Sequence, residues 1–296
     1  MTPSSRPLDA VATAAMVVLC LSWGLNQVAM KSAMPDIPPL IQGAIRSAGA
    51  LAIIAAWMRI RGLGLFERDG TLHAGLANGV LFGIEFLLIY RGLVWTTASR
   101  GALFLYTAPF FVALGARVFL PGDRLRPMQW LGLALSFAGV ALAIGMPDAN
   151  ADPNMLIGDL MLIGGGAMWG ANTLIIKASR LASVSAEKAL AYQLGVSAPI
   201  LAIGALVLGE QVGAVPGGAA LSWLAYQTVW VVGVTYAVWC ALVQGYSASR
   251  LSAFTFLTPL FGVAAGHLLL GDPLSPAFAA AVVLVIAGLV LVNRAR

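Results

Sequence analysis

The fold follows from a stretch that occurs twice in the sequence, as WGLNQVAMK at residues 23–31 and as WGANTLIIK at residues 169–177. Both copies carry a tryptophan–glycine pair, an asparagine and a lysine at identical spacing. Because further matches follow in the same order and at nearly the same offset, we predict one membrane domain made of two repeats, residues 1–147 and 148–296. These matches are Ala98-Ser99-Arg100 with Ala248-Ser249-Arg250, Pro109 with Pro259, Gly122-Asp123 with Gly271-Asp272, and Gly139-Val140 with Gly288-Leu289.

The composition indicates a membrane protein. Of the 296 residues, 60% are hydrophobic and only 10% are charged, and the mean hydropathy is +0.89. A soluble domain carries roughly 25% charged residues, so this chain lacks the polar side chains needed to cover a surface in water. The composition excludes a soluble enzyme, a disordered protein and a nucleic-acid binder.

The apolar runs are long and unbroken, which favours helices over the short alternating strands of a barrel. A membrane-spanning helix needs about 20 apolar residues, and turn-forming residues separate the runs. We therefore predict an all-α integral membrane protein with ten spans. In order, these are Leu8 to Ala29, Pro39 to Ile60, Thr71 to Val94, Gly101 to Leu120, Pro127 to Gly145, Met155 to Lys177, Ala186 to Leu208, Ala219 to Gln244, Leu251 to Leu270 and Ser275 to Val292.

The distribution of basic residues predicts the orientation. With both termini in the cytoplasm, most of the 17 Lys and Arg residues fall on the cytoplasmic side, as the positive-inside rule requires. Each repeat has five spans, an odd number, so the second repeat crosses the membrane in the opposite direction to the first. Inverted repeats of this kind are typical of transporters that bind substrate near the midplane; the alternative is a duplicated scaffold without transport, such as an assembly factor.

The chain resembles the EamA-type drug/metabolite transporter superfamily in its ten spans and in several motifs. These motifs are the W-G-x-N near the end of the first span of each half, the A-S-R that opens the fourth span, and the proline and the G-D that follow it. The resemblance covers nearly the whole chain, and within the superfamily the chain resembles the YddG-type exporters of aromatic amino acids. It implies a ten-helix fold with a central cavity in the bacterial inner membrane, exporting amino acids and related small metabolites.

The repeated motif supplies the first candidate binding residues. Trp23 and Asn26 lie three positions apart on span 1, so they share a helix face, and Trp169 and Asn172 do the same on span 6. An indole beside an amide offers a stacking surface and a hydrogen-bonding group to a zwitterion with a bulky side chain. The alternative is structural: asparagines bonded to neighbouring helices and tryptophans anchored at the membrane interface.

Other aromatic residues extend this candidate site. Tyr236 and Trp239 lie deep in span 8 and are expected to line the cavity, as is Tyr106 in span 4. Tyr90, near the end of span 3, fits a cavity and an interfacial aromatic belt equally well. Pro109, Pro199 and Pro259 interrupt helices and are interpreted as kinks, with Pro109 and Pro259 as the candidate gating positions.

Charges inside the membrane are costly and usually face a cavity or a bundle interior. Glu85, near the middle of span 3, is also a candidate substrate-binding residue, and Arg46 lies within span 2. We expect them to form a structural ion pair; the alternative is that Glu85 carries a proton during coupled transport.

These features predict a secondary transporter rather than an enzyme. The glycines at 164–166 lie in an apolar helix and lack the Lys-Ser/Thr of a phosphate-binding loop, and Cys20 and Cys240 are expected to be packing residues. No cofactor or metal is expected. The expected partners are a small-molecule substrate and membrane lipid, with the chain acting as a monomer. A multidrug or cation efflux carrier and an uncoupled facilitator remain alternatives.

Overall fold

The computed structural model describes residues 9–64, 67, 69–120, 126–144, 152–247, 251, 254–255 and 257–294. The elements of this part of the chain are all helical. They are α1 (Ala10–Ala33), α2 (Pro39–Ile60), α3 (Leu72–Trp95), α4 (Ala98–Leu105), α5 (Ala108–Phe119), α6 (Pro127–Ile144), α7 (Met155–Ala178), a 3₁₀ turn (Arg180–Ser183), α8 (Ala186–Val207), α9 (Gly218–Ala225), a π-helix (Tyr226–Thr235), α10 (Tyr236–Gly245), α11 (Leu257–Leu270) and α12 (Pro276–Arg294).

The predicted fold class is confirmed. Within the described residues, seven helical stretches are long and apolar enough to cross a membrane, and they coincide with predicted spans 1–4 and 6–8. The remaining apolar helices α6, α11 and α12 occupy the places of spans 5, 9 and 10. The predicted boundary between the repeats, at residues 147 and 148, lies outside the described residues and stays a prediction.

Two spans differ from the continuous helices that the apolar pattern predicted. Span 4 breaks between α4 and α5 because Pro109, at the start of α5, has no N–H to donate to the preceding turn. The Thr107 hydroxyl donates to the Phe104 carbonyl (2.8 Å) and satisfies it at the break. Span 8 changes from α-helix to π-helix at Tyr226 and back after Thr235. Pro199, also predicted to interrupt a helix, lies inside an unbroken α8.

The two motif lysines have the same structural role. Lys31 donates from Nζ to the carbonyls of Leu93 (2.7 Å) and Thr96, at the end of α3. Lys177 donates to the carbonyls of Val243 (3.1 Å) and Tyr246 (2.7 Å), at the end of α10. In each repeat the lysine that ends the first span therefore caps the last carbonyls of the third span, which have no partner within their own helix.

The motif glycines lie where helices of the two repeats pack in close contact. Helix α1 packs on α11 and α7 packs on α5, so the first span of each repeat crosses the fourth span of the other. A Cβ atom at Gly24 would lie 2.7 Å from the backbone nitrogen of Gly262, and one at Gly170 would lie 2.7 Å from Cβ of Phe111. Such spacing admits no side chain, so glycine is required where these helices cross.

A buried ion pair joins the repeats at the end of the bundle where α4 and α7 begin. The Arg100 Nε lies 3.2 Å from both carboxylate oxygens of Asp159, and the Thr96 hydroxyl donates to the same carboxylate (2.7 Å). Nearby, Asp272 accepts from the Ser99 backbone N–H (2.8 Å) at the start of α4. These contacts connect the first repeat to two elements of the second.

A second polar contact between the repeats lies at the opposite end of the bundle. Asp69, in the connection before α3, accepts from Lys188 Nζ (2.6 Å) near the start of α8, and from the Thr71 hydroxyl (2.6 Å). The Lys188 ammonium, followed by the Thr71 hydroxyl, holds the pKa of the Asp69 carboxyl well below its ordinary value. The carboxylate is therefore more favourable in the folded protein than in the unfolded chain.

This arrangement predicts a specific loss of stability in acid. A lowered folded-state pKa contributes stability that is fully present above the unfolded value, about 3.9 for Asp, and is lost as the pH falls toward the folded value. We expect Asp69→Asn to melt at a lower temperature than wild type at pH 7, and the difference to shrink below about pH 4. The measurement is the melting temperature of the detergent-purified protein across this pH range.

Glu67→Gln is the matched control, because the Glu67 carboxylate lies farther from Lys188, at 4.0 Å, and is exposed. It should leave the melting temperature nearly unchanged at pH 7. A gap between wild type and Asp69→Asn that persists undiminished at pH 3 would contradict the proposed linkage.

Candidate functional site

One cavity brings the two motif copies together in the middle of the bundle. Helices α1, α3, α7 and α10 supply most of its walls. Eight of the nine residues predicted to bind substrate line it: Trp23, Asn26, Glu85, Tyr106, Trp169, Asn172, Tyr236 and Trp239. The repeats are thus joined at a cavity whose two sides carry equivalent residues.

The aromatic residues of the cavity form a connected cluster around Trp23. Its ring centroid lies 5.5 Å from that of Trp169, 5.4 Å from that of Trp239 and 6.0 Å from that of Tyr236, each in an edge-to-face arrangement. Tyr106 lies 5.1 Å from Trp169 on the far side. Edge-to-face packing leaves ring faces available for a planar or apolar group of a ligand.

Trp23 is the more constrained of the two motif tryptophans. Its indole N–H donates to the Thr235 hydroxyl (2.8 Å), which belongs to the π-helix, and its side chain is buried. Trp169 is only partly buried. Thr235 therefore orients Trp23, so the π-helix in span 8 contributes directly to the cavity. Such segments frequently occur at functional sites.

The polar groups of the cavity are rich in hydrogen-bond acceptors. Asn172 Nδ2 donates to Glu85 Oε2 (2.8 Å), so a motif residue of the second repeat holds the acid of the first. The amide oxygens of Asn26, Gln27 and Asn172 are buried without a hydrogen-bond partner. Buried acceptors that lack a donor are costly, and a ligand with N–H groups would satisfy them.

The predicted ion pair between Arg46 and Glu85 is not formed. Glu85 is bonded to Asn172 instead, and the Arg46 guanidinium carbon lies 3.7 Å above the centroid of the Phe86 ring and 5.4 Å from that of Tyr90. The guanidinium lies beside the Tyr236 hydroxyl, yet none of its nitrogens has a hydrogen bond of normal geometry. The sequence places both charges within membrane spans, but it does not determine which neighbour each side chain contacts.

Aromatic stacking does not fully compensate this buried charge. A desolvated cation–π contact contributes about 2 kcal/mol, whereas the effective cost of burying an unpaired ion is several kcal/mol. Arg46 has no exposed surface. The guanidinium therefore retains unsatisfied hydrogen-bonding capacity within the membrane-spanning helix α2.

Tyr90 is the one predicted binding residue that lies outside the cavity lining. It is buried between α2 and the π-helix, where it contacts Arg46 and donates its hydroxyl to Gln227 Oε1 (2.8 Å). Neither the cavity position nor the interfacial belt describes it. A Cβ atom at Gly43 would lie 2.8 Å from its ring, which shows how closely α2 approaches α3 here.

Several residues of the cavity wall were not predicted from the sequence, although most of them share a helix face with a predicted residue. Phe82, Phe86 and Ile89 stand with Glu85 at the i, i+3, i+4, i+7 spacing of one helix face. Gln27 and Met30 continue the face that begins at Trp23 in the same way. Gln193, Leu105, Thr173 and Ile176 also line the cavity; of these, Gln193 on α8 had no neighbour in the sequence that marked it.

Comparison with known proteins identifies the family. The model of the EamA-like transporter family matches the chain twice, over residues 11–145 and 156–294. The chain belongs to the EamA-like transporter family. The predicted superfamily is therefore confirmed, and each EamA-like match covers one set of five predicted spans.

Individual relatives of this EamA-like chain are distant but extend along nearly its whole length. An uncharacterized transporter YvbV of Bacillus subtilis (strain 168) is 29% identical, covering 94% of this chain and 90% of that protein. An uncharacterized inner membrane transporter YedA of Escherichia coli (strain K12) is 22% identical over 88% and 83%. A probable amino-acid metabolite efflux pump of Salmonella typhimurium is 26% identical over 92% and 91%. A solved crystal structure has the same fold, with a TM-score of 0.74, 20% identity and coverage of 96% and 97%.

Proposed function

We propose that this EamA-like transporter is a secondary exporter of amino acids with aromatic or hydrophobic side chains, and of related small metabolites, that works by alternating access. The observation that carries the proposal is the central cavity, where an aromatic cluster and a buried carboxylate meet between the two repeats. The relative named as a probable amino-acid metabolite efflux pump supports the same substrate class. We place the protein in the inner membrane with both termini in the cytoplasm.

The cavity supplies a complementary group for each part of such a substrate. The apolar side chain would occupy the space among the rings of Trp23, Trp169 and Trp239, where stacking favours aromatic groups. The ammonium group would lie at Glu85 and the free amide oxygens of Asn26 and Asn172. A substrate held in this way contacts α1 and α7, the equivalent helices of the two repeats, so its binding is coupled to their relative position.

Two other functions remain as alternatives to this proposal. A multidrug carrier for lipophilic cations would need an acidic cavity, but Arg46 lies within electrostatic reach of Glu85 and opposes the binding of a substrate with only positive charge. An uncoupled facilitator on the same fold differs from an exporter in energetics rather than in shape. Uptake of L-tryptophan into liposomes containing the purified protein, with and without a pH gradient, separates the facilitator from a proton-coupled carrier.

The substrate site is tested by removing one stacking surface. We expect Trp169→Ala to lower the affinity for L-tryptophan several-fold, because loss of one aromatic contact costs on the order of 1 kcal/mol. The folded protein should persist, because Trp169 is only partly buried, unlike Trp23, whose indole N–H donates to Thr235. The measurement is exchange of radiolabelled L-tryptophan in liposomes at several substrate concentrations.

Trp57→Ala is the matched control, because Trp57 lies on α2 with half of its surface exposed, away from the cavity. It should exchange L-tryptophan as wild type does. Trp23→Ala should reduce L-tryptophan exchange and also lower the melting temperature, since it removes the hydrogen bond to Thr235 as well. Wild-type exchange in a well-folded Trp169→Ala variant would count against the site.

A further inference from the structure

Arg46 is a fully buried cation next to the cavity, and the proposed binding mode leaves it unused. We propose that Arg46 binds the carboxylate of the transported substrate and becomes accessible when the Phe86 side chain moves aside. This inference rests on the proposed function and deepens it, since it assigns the second charged group of an amino acid to a residue. It also predicts that the protein distinguishes amino acids from the corresponding amines.

The hydrogen-bonding state of Arg46 is the first argument. Nε and both Nη atoms are buried and have no hydrogen-bond acceptor at normal geometry. A guanidinium presents its N–H groups in a planar fork that matches a carboxylate. The Glu85 carboxylate, which interacts electrostatically with Arg46, is bonded to Asn172. The unsatisfied fork is therefore suited to an anionic group that enters from outside the protein.

A second unsatisfied donor belongs to Gln227, the hydrogen-bond partner of Tyr90. Tyr90, which contacts the guanidinium, donates its hydroxyl to Gln227 Oε1 and thereby directs the Gln227 Nε2 group elsewhere. That Nε2 group is buried and has no acceptor. Tyr90 therefore contacts two residues with unsatisfied donors, Arg46 and Gln227.

The path from the cavity to Arg46 passes two wall residues. Phe86 lines the cavity and stacks directly on the guanidinium, and Tyr236 lines the cavity and has its hydroxyl beside it. Phe86 has another apolar environment within reach, because its ring lies 4.8 Å from that of Phe82. Movement of the Phe86 side chain would open a path from the cavity to Arg46.

The two polar regions have opposite character. Free acceptors and the Glu85 carboxylate lie on the α1 and α7 side, and free donors lie on the side of Arg46 and Gln227. An α-amino acid carries its ammonium and carboxylate on one carbon, so it would bind in a single orientation with its side chain toward the tryptophans. A substrate that lacks the carboxylate would leave Arg46 unsatisfied and lose affinity.

The test compares L-tryptophan with tryptamine, which lacks only the carboxylate. Equilibrium binding of each radiolabelled compound is measured with the purified full-length protein. Wild type should bind L-tryptophan more tightly than tryptamine. Arg46→Met should weaken L-tryptophan binding by at least about tenfold, as expected for a lost charge-assisted hydrogen bond. Tryptamine binding should not weaken, because this change removes a positive charge that opposes a cationic ligand.

Arg46→Lys is the second variant and controls for a folding defect. It keeps a buried cation of similar length but lacks the planar set of N–H groups that binds a carboxylate at two points. It should weaken L-tryptophan binding several-fold and leave tryptamine binding unchanged. Arg61→Met, on the surface and more than half exposed, should bind both compounds as wild type does. The inference is overturned if the ratio of the two affinities is the same in wild type and in Arg46→Lys.

The experiment also separates this inference from the function on which it rests. If wild type binds and exchanges L-tryptophan but Arg46→Met does so equally well, only the assignment of Arg46 is wrong. If wild type neither binds nor exchanges any aromatic amino acid, the proposed substrate class is wrong and the assignment of Arg46 is overturned with it.

Discussion

Replacing Asp159 with alanine is expected to destabilise the protein by about 3–5 kcal/mol, the cost of removing one partner of a buried ion pair. The Asp159 carboxylate is fully buried and accepts from Arg100 and from the Thr96 hydroxyl. Without it the guanidinium of Arg100 stays buried beside an apolar side chain. The change also breaks a connection between the repeats, since Arg100 belongs to α4 and Asp159 to α7.

The melting temperature and the monodisperse fraction of detergent-purified protein measure this effect. A double variant, Asp159→Leu with Arg100→Met, should recover most of the lost stability, because replacing a whole buried pair by apolar residues is often neutral. Asp152→Ala, in the exposed segment before α7, is the control and should melt close to wild type. An Asp159→Ala variant as stable as this control would contradict the assigned role of the pair.

Adding a single methyl group at Gly24 should have the second largest effect. The new Cβ atom would lie 2.7 Å from the Gly262 nitrogen and 2.9 Å from Cβ of Phe261, so backbone has to move. Overpacking usually costs about 1–3 kcal/mol, and here the strain falls on the crossing of α1 and α11 beside Trp23. We expect Gly24→Ala to lower the melting temperature and to reduce L-tryptophan exchange more than its loss of stability explains.

Gly195→Ala provides the matched control for this prediction. Gly195 also lies inside a long apolar helix, but a Cβ atom there would meet its nearest neighbour, Leu51, at 3.9 Å, an ordinary contact. Since alanine favours helix over glycine by about 1 kcal/mol, this variant should be as stable as wild type or slightly more stable. Equal melting temperatures for Gly24→Ala and Gly195→Ala would show that the helices tolerate the added volume at the crossing.

The family and the wall of the cavity were largely predictable from the sequence. Apolar runs of the length of a bilayer predict spans without knowledge of their neighbours, because a backbone in lipid must satisfy its hydrogen bonds within each helix. The repeated W-G-x-N motif places Trp23 and Asn26 on one helix face, and Trp169 and Asn172 on another, by helix geometry alone. The structure brings all four to one cavity.

The breaks within spans were less predictable because they depend on several weak local preferences. Pro109 marks the break between α4 and α5, whereas Pro199 lies within α8 without breaking it. The same residue type therefore has different outcomes. The π-helix from Tyr226 to Thr235 carries no proline at all, and it is associated with contacts to α1, including the bond from Trp23 to Thr235.

The sequence by itself determined which residues lie at membrane depth and which of them share a helix face, because both depend only on distance along one helix. The tertiary structure decided which partners those residues meet. Arg46 and Glu85 both lie within membrane spans, yet the rotation of α2 against α3 places the guanidinium on Phe86 and Tyr90, while α7 brings Asn172 to Glu85. Rotation of a helix about its own axis is set by packing against its neighbours, and that information is shared among segments that are far apart in the sequence.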